Sequence, residues 1–153
     1  MPDSIFTPDE LEALTRRAGS EAFRPALNRL RREADEFSAM LLAVPELPGG
    51  YYHDYICPEY GVELRFDPHR PGEHRCPVDQ ALFSGEKFDA ARRWFVNHHL
   101  AEAVLRLAVL WRVEGNDVHR ETVRRILLEY AARYEFYGTC PRTGVNPGVA
   151  TYT

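Results

Sequence analysis

The chain has 153 residues, enough for one domain with a buried core. Hydrophobic residues make up 44% and charged residues 27%, the balance of a soluble globular protein. The net charge is −4 and the arginines are scattered, which excludes a general affinity for nucleic acid or anionic membrane; no run reaches the ~18 apolar residues of a transmembrane helix.

The start, MPDSIFTPDELEAL, is acidic and has no apolar core, so it does not read as a secretory signal. With three cysteines, an odd number, the expectation is a reducing, cytoplasmic setting and not a disulfide scaffold. Thr7-Pro8-Asp9-Glu10 has the pattern of a capping box with proline at the first helical position, and predicts a short helix to about Ala18. Gly19-Ser20 breaks it, and Ser20 is a candidate cap for the next helix. From Phe23 to Leu42 the pattern is amphipathic, with Phe23, Leu27, Leu30, Ala34, Phe37 and Leu41 on one face. Pro45, Pro48, Gly49 and Gly50 end that helix.

Residues 51–85 differ in kind. Pro and Gly are frequent, and short strand-like pieces fit at Asp54–Cys57, Val62–Phe66 and Ala81–Phe83. Ser84 is the expected cap of a long helix from Glu86 to Val113, which contains no Gly or Pro. Ala90, Trp94, Ala101, Val104 and Ala108 line one side, and Val96, Leu100, Ala103, Leu107 and Leu110 the flank beside it. Only Arg92, His99, Glu102 and Arg106 form a polar stripe. A helix apolar nearly all round needs neighbours on more than one flank. After Gly115-Asn116, Asp117 is a candidate cap for an outer helix from Val118 to Tyr134. Its expected inner face is Val123, Ile126, Leu127, Tyr130 and Tyr134, and Gly138 is its expected stop. The tail 139–153 has no periodicity. The resulting division is 1–50 N-terminal helices, 51–85 cysteine-bearing β-rich insertion, 86–138 helical hairpin and 139–153 irregular tail, within one mainly α domain.

Three groups of residues could carry chemistry. Cys57-Pro58-Glu59-Tyr60-Gly61 and Cys76-Pro77-Val78-Asp79-Gln80 look like the two knuckles of a zinc ribbon. A full ribbon needs Cys-x-x-Cys twice, whereas here the second positions are Tyr60 and Asp79. One alternative is a structural zinc held by Cys57, Cys76 and Asp79 with His74 or His53. The other is a ribbon-shaped turn without metal, held by packing. The second group is Asn97-His98-His99. Asn97 falls on the apolar face of its helix, so its amide either satisfies a neighbouring loop or points into a polar cleft. In the second case Asn97 and His98 are the candidate substrate-binding residues; His98 and His99 face different ways and make a poor metal pair. The third group is aromatic: Tyr51, Tyr52, Tyr55 and Tyr60 in the insertion, and Tyr134, Phe136 and Tyr137 after it. These either stack on sugar rings or pack as core and rim, and the second is expected. Cys140 has no partnered base in view, so no thiol nucleophile is expected.

The run Cys57-Pro58-Glu59-Tyr60-Gly61, Phe66-Asp67-Pro68, His74-Arg75-Cys76-Pro77-Val78-Asp79 and Phe83-Ser84-Gly85-Glu86 resembles the N-terminal region of heparinase II/III-like proteins. Asp89-Ala90-Ala91-Arg92, Asn97-His98-His99-Leu100-Ala101, Gly115-Asn116-Asp117 and Ile126-Leu127-Leu128-Glu129-Tyr130-Ala131 extend the resemblance over about residues 50–140. It implies helical hairpins of a partial α/α toroid. It also implies a parent polysaccharide lyase that cleaves uronate-containing glycans by β-elimination, a base removing the proton α to the carboxylate. The family's catalytic Asn, His and Tyr belong further along the toroid, so no catalytic residue is assigned here. The chain is then expected to be inactive alone, to line a glycan cleft and to self-associate. The alternative is a self-standing helical carbohydrate- or protein-binding module, with or without a stabilising metal.

Overall fold

A computed structural model of the protein describes residues 6–137. The expected helix stop at Gly138, the tail 139–153 and Cys140 lie outside the described residues. Four α-helices and two very short strands follow one another: α1 (Pro8–Ala18), α2 (Arg24–Met40), β1 (His74–Arg75), β2 (Leu82–Phe83), α3 (Glu86–Glu114) and α4 (Asp117–Arg133). The architecture is mainly α. Among the described residues no helix is long and apolar enough to cross a membrane.

At the start of α1 the Thr7 hydroxyl accepts from the Glu10 N–H at 3.3 Å, and Glu10 Oε2 accepts from the Thr7 N–H at 2.8 Å. The capping box therefore forms as its spacing requires. Ser20 behaves differently from the expectation. Its hydroxyl donates to the Arg17 carbonyl at 2.7 Å, closing α1, and a single 3₁₀ turn at Glu21–Phe23 leads into α2. α2 also stops earlier than its apolar pattern suggests. Leu41 adopts a left-handed conformation, φ 52°, and is 82% exposed. The chain turns there so that Leu42 and Val44, not Leu41, enter the core.

α3 is 29 residues long, about 43 Å at 1.5 Å per residue. It touches every apolar cluster of the described residues. Its first turns place Ala91, Phe88 and Phe95 against Tyr55, Cys57, Leu64 and Cys76 of the insertion. Its middle places Val96 and Leu100 against Leu42, Val44 and Ile126. Its last turns place Ala103, Leu107 and Leu110 against Ala34, Leu27 and Leu30 of α2 and Val123 of α4. The flank Val96, Leu100, Ala103, Leu107 and Leu110 is fully buried, as its spacing predicts. The side through Ala90, Trp94 and Val104 is only half-buried, and Ala101 is exposed.

The ends of α3 and α4 are capped by different residues from those expected. Gly85, at φ 109°, and not Ser84, is the N-cap of α3 and makes no side-chain cap. Asn116, not Asp117, caps α4, its Oδ1 accepting from the Val118 N–H at 3.0 Å. Asp117 instead sits in the first turn, where its charge meets the positive end of the helix dipole. The inner face of α4 is narrower than its pattern implies. Ile126 is buried and Val123 and Tyr130 half-buried, but Leu127 and Tyr134 are 53% and 80% exposed.

The segment between α2 and the insertion crosses α3 at Gly49-Gly50. The Gly50 N–H donates to the Ala90 carbonyl at 2.7 Å, and a Cβ on Gly50 would stand 2.7 Å from the Ala90 Cβ. Gly50→Ala is therefore expected to destabilise by about 1–3 kcal/mol through overpacking. Gly72→Ala, where a Cβ meets nothing within 4 Å, should stay within about 0.5 kcal/mol of wild type. Urea denaturation midpoints of the two variants check this.

Candidate functional site

The candidate residues gather around the N-terminal half of α3. The insertion builds two matching turns there. Cys57 N–H donates to the Val62 carbonyl at 2.7 Å and Gly61 N–H to the Cys57 carbonyl at 2.9 Å. Cys76 N–H donates to the Ala81 carbonyl at 2.9 Å and Gln80 N–H to the Cys76 carbonyl at 3.1 Å. The fifth residue of each turn has positive φ, 63° at Gly61 and 65° at Gln80. The expected strand pieces do pair, but mostly as single bridges, Ile56 with Glu63 and Arg65 with Arg75; only His74–Arg75 with Leu82–Phe83 forms a ladder. So the two knuckles are laid side by side.

Both cysteines are fully buried and lie in one apolar cluster. Both are free thiols, and burial pushes the Cys76 thiol above its usual range. The Cys76 sulfur also accepts from the Val78 N–H at 3.4 Å. The other two residues of the candidate metal set are engaged differently. Asp79 is exposed and its Oδ1 accepts from the Ala81 N–H at 3.0 Å, the contact that chiefly holds its carboxyl below the usual range. His74 is completely buried, with Nε2 donating to Asp89 Oδ1 at 2.7 Å and Nδ1 3.2 Å from Tyr55 Oη. Both its nitrogens thus serve a polar chain that runs from the insertion to α3, not the thiols. Among the described residues no three His, Cys, Asp or Glu side chains gather as a metal ion would require. A structural zinc takes four ligands; of the candidate set, Cys57 and Cys76 share one buried cluster, while both nitrogens of His74 are held by Asp89 and Tyr55.

Asp89 and Arg92 are the residues to which pattern reading gave no part in the site, while Tyr55 packs as core, as expected of the aromatic group. The Tyr55 hydroxyl is pushed up to about 12 by burial and donates to the Arg65 carbonyl at 3.3 Å. Arg92 was expected in the polar stripe, yet it is 8% exposed. Its guanidinium lies 5.0 Å from the Phe66 ring centre and donates from Nη2 to the Asp67 and Pro68 carbonyls at 3.0 and 3.3 Å. Its Nε has no partner. Asp89 and Arg92 lie three residues apart, hence on one side of α3. That spacing, beside the Phe66-Asp67-Pro68 loop, was the available signal.

Asn97 and His98 part company. The Asn97 Oδ1 accepts from the Tyr130 hydroxyl at 2.7 Å, tying α3 to α4. The amide on the apolar face is thus satisfied by a side chain of the neighbouring helix. Burial raises the Tyr130 hydroxyl well above its usual range, so it stays a donor. His98 faces out. Its ring stacks on Trp94 with centroids 5.1 Å apart and planes at 9°, and Nε2 lies 3.7 Å from Glu102. Tyr52 stacks on the same indole at 4.7 Å, and the His53 ring lies tilted against Tyr52 at 3.8 Å. The result is a row of four rings whose outer members, His53 and His98, are exposed. Tyr52 and His98 compete with any sugar for the indole surface. His99 turns inward against Phe66 at 5.1 Å, and burial lowers its pKa from 6.5.

Tyr130→Phe removes the one donor to Asn97 Oδ1 and should cost about 1–3 kcal/mol, the cost of leaving a largely buried acceptor unpaired. A double-mutant cycle with Asn97→Ala checks it: the double variant should lose clearly less than the sum. His99 adds a pH dependence. Its folded pKa lies below the unfolded value, so its neutral form is favoured in the fold. Its contribution is fully present above about pH 6.5 and is lost as the pH falls towards the folded pKa. His99→Gln should flatten the stability–pH curve of the protein below pH 6.5, read by urea melts at stepped pH.

No known family model, curated protein or solved structure matches this chain.

Proposed function

We propose that this chain is a toroid segment of a uronate-polysaccharide lyase, inactive alone, that contributes one wall of a glycan cleft through the face carrying His53 and His98. The supporting observation is the joint placement of the motif residues. The paired Cys-Pro turns sit on the first turns of α3, and the last turns of the same helix pair with α4. The motif residues Asp89, Arg92 and Asn97 hold these parts together through His74, the Asp67 and Pro68 carbonyls, and Tyr130. This division of labour leaves them structural and the catalytic residues to be supplied elsewhere in a parent protein. His98, exposed beside Glu102, is the member of the Asn97-His98 pair left for a ligand.

The open apolar surfaces agree with a segment that packs against further helices. A groove of roughly 640 Å³ runs between α1, α2 and the end of α3, lined by Leu14, Phe23, Leu30, Leu105, Val109 and Val113. On the other side, Leu127 and Leu128 of α4 are about half exposed, 53% and 51%. An array of helical hairpins buries such faces between neighbours.

Incubation of the protein with uronate polymers, followed by ultraviolet absorbance of the unsaturated product, is expected to give no turnover. Affinity electrophoresis in gels containing the same polymers should show retardation that His98→Ala reduces several-fold while the melting temperature is unchanged. Turnover would overturn the assignment of an inactive segment. Absence of retardation, together with a monodisperse monomer in sedimentation, would favour a self-standing module that binds something other than these glycans.

A further inference from the structure

The insertion has kept the shape of a two-knuckle metal ribbon but only two thiols. Each of the two turns normally presents two ligands to one ion, and each here presents one. Tyr60, at the second position of the first knuckle, is 47% exposed, and Asp79, at the second position of the other, is exposed and caps its own turn. What remains at the shared centre is Cys57 and Cys76, both free, both fully buried and packed in the same apolar cluster. The turns that carry them match in their two backbone bonds, and the Arg65–Arg75 bridge, one residue before Cys76, joins the two hairpins.

We infer that Cys57 and Cys76 are a disulfide-forming pair, and that a covalent bond between them can cross-link the two knuckles where a metal would otherwise do so. The inference is independent of the glycan reading. The oxidant is a low-molecular-weight or protein disulfide. The thiolate of one cysteine attacks a sulfur of that disulfide, forms a mixed disulfide and expels one thiolate. The second cysteine, deprotonated, attacks the protein sulfur and expels the other half. Two protein thiols lose two electrons and two protons, and the oxidant leaves as two thiols. Because both sulfurs are buried, exchange requires the insertion to open, and it is fastest during folding. Once closed, the bond is shielded from reductant in the same way. The loop it closes, residues 57–76, is of a length for which such a bond raises the melting temperature by roughly 5–10 °C in a domain of this size.

The test uses the full chain carrying Cys140→Ser, so that the two remaining thiols are the only ones. The protein is refolded in a glutathione redox buffer. Thiols are then counted in denaturant, the intact mass is measured, and metal content is determined on the same sample. The expected result is no reactive thiol, a mass lower by two hydrogens, a proteolytic peptide joining the Cys57 and Cys76 segments, and a raised melting temperature that reductant reverses. Two free thiols in a chain that has refolded, with helical circular dichroism restored, would overturn the inference. So would one glutathione adduct on each cysteine, or a stoichiometric zinc ion that protects both thiols.

Discussion

The constraint on which the fold depends is that one flank of α3, from Ala91 through Val96, Leu100, Ala103 and Leu107 to Leu110, is buried along its length. The insertion covers its first turns, and α2 with the segment after it and α4 share its middle and last turns. Complete burial of a Val or Leu side chain is worth about 1.5–3 kcal/mol. α3 buries Val96, Leu100, Leu107 and Leu110 to 4% exposure or less. The ion pairs around it are weaker supports. Arg106 reaches Glu33 at 2.9 Å and Arg31 reaches Glu114 at 2.7 Å, both partly exposed, where solvent screens the attraction. They orient α2 on α3; the apolar contacts decide whether the two associate at all.

Polar groups on α3 then fix where the irregular segments lie. The insertion and the segment before it contain little sheet, and α3 supplies partners for some of their polar groups. Arg92 binds the Asp67 and Pro68 carbonyls, Arg93 the Pro48 carbonyl at 2.7 Å, and Asp89 binds His74. Each of these side chains is buried or half-buried, where an unmade bond is costly. The motif residues of α3 are therefore best understood as the positioning surface for the two knuckles, and the thiol pair is the point where the knuckles meet.

How much of this was legible in the sequence follows from which signals are local. The capping box at Thr7 and Glu10 and the buried flank of α3 are local patterns with one dominant physical cause, and both appear as read. Where two causes compete, the reading slipped. Ser20 can cap forwards or bond backwards, and it bonds backwards to Arg17. Leu41 fits the helical period, but the chain must turn there to bring Leu42 and Val44 inward. Arg92 fits a polar stripe, but at its position the stripe faces the loop at Asp67–Pro68 and not water. At the site, Asn97 was recognisable as an amide needing a partner, yet Tyr130 lies 33 positions away in sequence and periodicity alone cannot pair them. His74 was read by its proximity to Cys76; alternation does put the two on one buried face, but Asp89 and Tyr55, distant in sequence, take both ring nitrogens.

The central claim, that α3 is the element shared by every part of the core, is tested most directly by native-state amide hydrogen exchange. The account predicts that the slowest-exchanging amides of the protein are those of Val96 to Leu110, opening only with global unfolding. Slowest exchange in α1, α2 or α4, with the middle of α3 exchanging through a lower-energy local opening, would contradict it.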